Sequence, residues 1–165
     1  MNPSDTLLTT AEIAVAVLGF AGIVAVLQSR AAPMAELRLR VMVEAGGTTI
    51  AFSLLPVGLL AFEIAEESVW SIASAGLGLA TLALLARTFT RQRQLFGSIF
   101  LRETIVFDVG FWVSALLAAI ALALNAFSVG YPASFGVFYA GLTLVLTSAV
   151  ITFVRIVYLV VEGSR

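Results

Sequence analysis

Five ionisable side chains fall inside long apolar stretches of this chain: Glu12, Glu44, Glu63, Asp108 and Arg155. An unpaired charge in such a stretch costs about 2–3 kcal/mol in lipid, so each needs a partner, water or a function. Glu44, Asp108 and Arg155 each come about one helical turn inside the same end of their stretch, which places them at similar depth. The pattern predicts that Arg155 meets Asp108, Glu44 or both. Asp108 is the better partner, because a short turn joins its stretch to that of Arg155 and makes the two antiparallel neighbours. Such a cluster serves either as a clamp that fixes helix register or as a proton or ion relay at the mouth of a path. Gly141, Ser148, Thr152 and Arg155 share one helix face, at spacings of seven, four and three. A polar stripe of this kind lines a wet path or acts as glue between helices.

Glu12 raises a different possibility. Ala16, Gly19, Ile23 and Val26 continue its face, and Arg30 comes near the far end. Several copies of this segment around an axis would present a carboxylate ring, an apolar throat and a basic ring. Acidic rings select cations and apolar constrictions gate by dewetting. The structural alternative is that Glu12 favours a helix N-terminus, capped at Thr9 or Thr10, while Gly19 and Gly22 permit close packing. Glu63 belongs by position to an acidic turn with Glu66 and Glu67.

Enzyme chemistry finds few residues to work with. The chain contains no Cys, no His and no Lys. That removes thiolate nucleophiles, the usual haem and zinc ligand, the usual general base and Schiff-base chemistry. A carboxylate dyad of Glu44 and Asp108 would stay ionised beside Arg155, the wrong state for general acid work. No catalytic residue, cofactor or metal is expected. Gly46 and Gly47 follow no strand and precede no lysine, so they do not form a phosphate loop.

The elements that position these residues follow from composition. Of 165 residues 61% are hydrophobic and 12% charged, against about a quarter charged in soluble domains. A water-soluble core cannot absorb that much apolar sequence, so the solvent is lipid. Five apolar stretches, about 8–27, 41–64, 69–86, 104–127 and 135–161, are long enough to cross a bilayer. The expected fold is all-α, a polytopic membrane helix bundle forming a single transmembrane domain over 1–165. Pro56 should kink the second span. Arg87 to Glu103 shows two faces. Leu95, Phe96, Ile99 and Phe100 make one, and Arg87, Arg91, Gln94, Ser98 and Arg102 the other, which predicts an amphipathic helix over 87–103 in the interface. Ser114, Ala115, Ala118, Ala119 and Ala123 make a smooth face for a neighbouring helix.

All nine basic residues are arginines. Arg30, Arg38 and Arg40 lie in the first gap, Arg87, Arg91, Arg93 and Arg102 in the third, and Arg155 and Arg165 towards the C-terminus. Basic residues of short loops stay on the cytoplasmic side, so the N-terminus is expected outside and the C-terminus inside. A start without a basic region argues for a retained first helix rather than a cleaved signal. Arginine-only, alanine-rich usage suggests a bacterial protein of the inner membrane. A net charge of −1 gives no case for nucleic acid. Three functions fit. The first is a homo-oligomeric ion channel or transporter that uses Glu12, Glu44, Asp108, Arg155, Ser148 and Thr152. The second is a non-catalytic accessory or assembly subunit of a larger membrane complex. The third, a membrane-disrupting effector acting through 87–103, is better explained as an interfacial anchor. The expected partners are the bilayer and further copies of the chain or another membrane protein.

Overall fold

The computed structural model of the chain describes residues 2–27, 33–96 and 105–163, with side chains for 2–23, 37–94 and 105–158. Among the described residues it is all-helical, with five helices: α1 (Pro3–Leu27), α2 (Pro33–Ala61), α3 (Glu66–Phe96), α4 (Ile105–Ala126) and α5 (Phe135–Gly163). Each is long and apolar enough to cross a membrane.

Helix starts are set by local chemistry. The Asn2 side chain accepts the Ser4 amide at 3.1 Å, and Pro3 occupies the first helical position, where its missing donor costs nothing. α1 therefore begins well before Thr9 and Thr10. Those hydroxyls cap nothing and instead bond back to the carbonyls of Asp5 and Thr6, at 3.0 and 2.8 Å. α2 likewise begins on a proline, Pro33, which sequence alone places in a loop. Glu66 and Glu67 form the first turn of α3, where carboxylates oppose the positive end of the helix dipole. The turn before them is Phe62–Ala65, with Glu63 in the left-handed region at φ 57°. α4 ends in a Schellman turn: Ser128 takes φ 49°, its amide reaches Asn125 at 3.3 Å, and the Val129 amide reaches Leu124 at 3.1 Å.

α3 is longer than its apolar stretch. Thr81, Leu84, Leu85, Thr88 and Gln92 are all buried, so the inward stripe runs on past Arg87 at helical spacing. No glycine or proline interrupts the chain there before Gly97. The segment 87–103 thus starts as an unbroken continuation of α3 through Phe96, and the rest of it lies outside the described residues. Pro56 sits inside α2 without ending it.

α5 is the central helix and packs on each of the other four, whereas α1 lies at the edge against α2 and α5. Lipid tails are as apolar as leucine, so burying apolar side chains between helices gains little from hydrophobicity. Close approach and polar pairing decide the packing. Gly141 supplies such an approach: a Cβ there would come within 2.6 Å of Leu122. Gly46 does the same for Leu18, at 2.7 Å. The inward face of α4 is Phe111, Ala115, Ala118, Leu122 and Asn125, flanked by Ser114 and Ala119. Ala123, expected on that face, is exposed. Two apolar clusters fill the interior. One surrounds Trp70, Leu122 and Phe138, and the other Met42, Phe111 and Ala149. The first lies towards the acidic end of the bundle, which bears the turns 62–65 and 127–134. The second lies towards the arginine end, which bears Arg40 and Arg87.

Candidate functional site

At the arginine end the structure brings Asp108 and Arg155 together. Asp108 sits in the first turn of α4 and Arg155 in the last third of α5, both buried. Arg155 donates through Nη1 to Asp108 Oδ1 and through Nη2 to Oδ2, the latter at 3.1 Å. This two-pronged fit is the strong form of a guanidinium–carboxylate pair. It lets two charges lie inside an apolar bundle, because each offsets the cost of burying the other.

Glu44 does not join them. It accepts from Arg40 Nε at 2.8 Å on its own helix, half-exposed. The early start of α2 makes this possible, since it turns Arg40 from a loop residue into the neighbour one turn before Glu44. An exposed pair of this spacing contributes only about 0.3–0.5 kcal/mol.

The stripe on α5 faces inward. Ser148 Oγ lies 2.8 Å from Ser114 Oγ of α4 and donates to the Leu144 carbonyl at 3.0 Å. Thr152 donates to the Ser148 carbonyl at 2.9 Å. Gly141 receives Leu122, and Ser148 and Thr152 are buried. Ser148 and Arg155 thus each bond across to α4, and these two contacts make a polar seam between α4 and α5, with the stripe's hydroxyls bonded inside the chain.

Glu12 stands apart from all of this. Because α1 starts at Pro3, Glu12 lies about 14 Å along the helix from its beginning. That is beyond the first turn, where a carboxylate gains from the helix dipole. It falls within Pro3–Ile23, a stretch long and apolar enough to cross a membrane. Its side chain is exposed, as are Ala16, Gly19 and Ile23 on the same face. Among the described residues it has no ion-pair or hydrogen-bond partner. Glu63 is exposed in the turn at the acidic end.

One polar centre goes beyond the charged residues that the sequence singles out. Asn125 is fully buried at the end of α4. Its Nδ2 donates to Ser74 Oγ of α3 at 2.8 Å and to the Ser134 carbonyl at 3.1 Å, while its Oδ1 accepts the Ser134 amide at 2.9 Å. Nearby, Ser71 Oγ donates to the Ala126 carbonyl at 2.8 Å, which satisfies an otherwise open helix end. A signal for it is present in the sequence: Asn125 follows Phe111, Ala115, Ala118 and Leu122 on one face.

Comparison with protein-family models, with curated proteins and with solved structures finds no match to this chain.

Proposed function

We propose that this protein is a homo-oligomeric ion channel or transporter of a bacterial inner membrane, with α1 facing the shared axis and Glu12 as the ion-contacting group. The observation that carries this reading is Glu12 itself, an exposed carboxylate in the third turn of an apolar helix, without a partner among the described residues. Helix-end stabilisation does not account for it at that depth. Facing lipid, it costs about 2–3 kcal/mol; facing a water-filled axis among copies, it costs far less and attracts cations. The exposed Ala16 and Gly19 let neighbouring copies approach. The seam of Asp108, Arg155, Ser148 and Thr152 then serves as the clamp that holds α4 and α5 rigid behind the conducting face, and Glu44 pairs locally with Arg40.

The test is native mass in mild detergent and in nanodiscs, followed by ion flux in proteoliposomes. A discrete assembly of about four or more copies is expected, since fewer helices leave no lumen. Glu12→Gln is expected to lower cation flux at least about tenfold while the assembly stays intact. A monomer, or unchanged flux in the variant, defeats the proposal.

A second reading, an accessory subunit of a larger membrane complex, draws on the seam, whose polar groups are spent on internal bonds. It predicts co-purification of a larger partner seated on the Glu12 face.

In both readings the N-terminus is outside and the C-terminus inside, from the arginine distribution. The cysteine-free chain makes this simple to check. Asp5→Cys is expected to react with a membrane-impermeant maleimide in whole cells, and Arg93→Cys only after permeabilisation. The reverse pattern overturns the orientation.

A further inference from the structure

A second charged feature lies at the arginine end, outside the seam and far from Glu12. Between the arginine ends of α2 and α3 lies a cleft of about 220 Å³. Leu37 and Val41 form its apolar wall, and Arg40, Arg87 and Arg91 its rim, with Glu44 and the Thr88 side chain between. Three guanidinium groups face one carboxylate, and that carboxylate is already engaged by Arg40. Arg87 and Arg91 are exposed, one turn apart on α3, and among the described residues neither has an ion-pair partner. Like charges at this spacing repel, so an anion between them relieves a cost as well as forming new bonds.

Depth identifies the anion. Arg40 lies about 32 Å of helix rise from the acidic end of α2, and Arg87 the same distance from the start of α3. That is one hydrocarbon thickness, so the arginine rim falls at headgroup level, with Val41 at the depth of Arg40 and Leu37 about one turn nearer the water. The cleft is smaller than the roughly 300–1,000 Å³ of pockets that enclose drug-sized ligands, and it opens at the exposed arginines. Guanidinium groups clustered at headgroup depth complement the phosphate of a lipid headgroup, the anion that the bilayer presents there.

We propose that the α2–α3 cleft binds one anionic phospholipid per chain. Arg87 and Arg91 hold its phosphate, with Arg40 at the edge. Basic pockets between membrane helices are suited to such headgroups. This site is independent of any path at Glu12, and its occupancy is measured without reference to flux.

The experiment titrates detergent-solubilised protein with phosphatidylglycerol, phosphatidylcholine or inorganic phosphate and counts bound ligand by native mass spectrometry. Wild type is expected to take up one phosphatidylglycerol per chain in preference to phosphatidylcholine. Arg87→Gln with Arg91→Gln is expected to bind it about thirtyfold more weakly. Arg93→Gln is the control. Arg93 does not line the cleft, its guanidinium lying 5.5 Å from the centre of the Phe89 ring, so binding should be unchanged. Equal binding of the two lipids, or full phosphatidylglycerol binding by the double variant, overturns the proposal. Saturation by inorganic phosphate with no preference between the lipids overturns the lipid assignment in favour of a free anion. Both substitutions fall on exposed positions, and elution volume in gel filtration verifies that the fold is retained.

Discussion

Arg155→Ala is expected to destabilise the bundle by about 3–5 kcal/mol. The loss comes less from the ion pair than from what is left behind: Asp108, nearly inaccessible on the inward face of α4, no longer held by the Arg155 guanidinium. The double variant, with Asp108→Ala added, should therefore be more stable than the sum of the single effects predicts. Coupling of about 1–3 kcal/mol is the range for residues in direct contact. Unfolding in mixed micelles with a denaturing detergent measures all three variants. Strict additivity would mean that the two residues do not depend on each other. Arg155→Lys should fall between, since an ammonium keeps the charge and loses the second bond.

Asn125→Ala ranks next, at about 2–3 kcal/mol. The side chain behaves as an extra peptide group: it gives a donor to the Ser134 carbonyl and an acceptor to the Ser134 amide, and its second donor reaches Ser74. Three helices meet there, and Ser134 is the residue from which α5 starts, its carbonyl also accepting the Phe138 amide at 3.2 Å. Truncation leaves the part-buried Ser134 amide and the fully buried Ser74 short of partners. Asn125→Asp is the sharper test. It keeps the shape but turns a donor into an acceptor facing a carbonyl, and should cost at least as much as alanine. If Asp and Ala variants unfold like wild type, the clasp contributes nothing to stability.

The five helices are legible in the sequence because lipid imposes a length on each apolar stretch. Their ends are less so. α1, α2 and α3 all extend beyond the apolar runs, since Asn2 and Pro3, Pro33, and the unbroken stretch to Gly97 govern helix limits by backbone chemistry rather than by hydropathy. These shifts alter the surroundings of two residues. Glu12 moves from a helix end to the third turn, and Glu44 acquires a neighbour in Arg40. The encounter of Asp108 with Arg155 follows from depth and from a short connecting turn, both visible in one dimension. Asn125 is hard to single out in the sequence because a neutral amide near a span end carries no charge to draw attention. Its meaning depends on Ser74 and Ser134, which only folding brings to it. The α2–α3 cleft is hidden for a similar reason, because Arg40 and Arg87 come from separate gaps in the chain.

The order of synthesis gives the α4–α5 seam a consequence for biogenesis. Asp108 leaves the ribosome 47 residues ahead of Arg155, so α4 reaches the insertion machinery before the guanidinium that grips its carboxylate. Alone in lipid, that helix bears a penalty of about 2.5–3.5 kcal/mol at worst, and Arg155 does not yet exist. The short connection from Phe127 to Ser134 shortens the wait. The two helices are therefore expected to enter the bilayer as one hairpin, Asp108 and Arg155 together. A ribosome stalled between Asp108 and Arg155 would hold α4 at the translocon's edge, and release would come with the synthesis of α5.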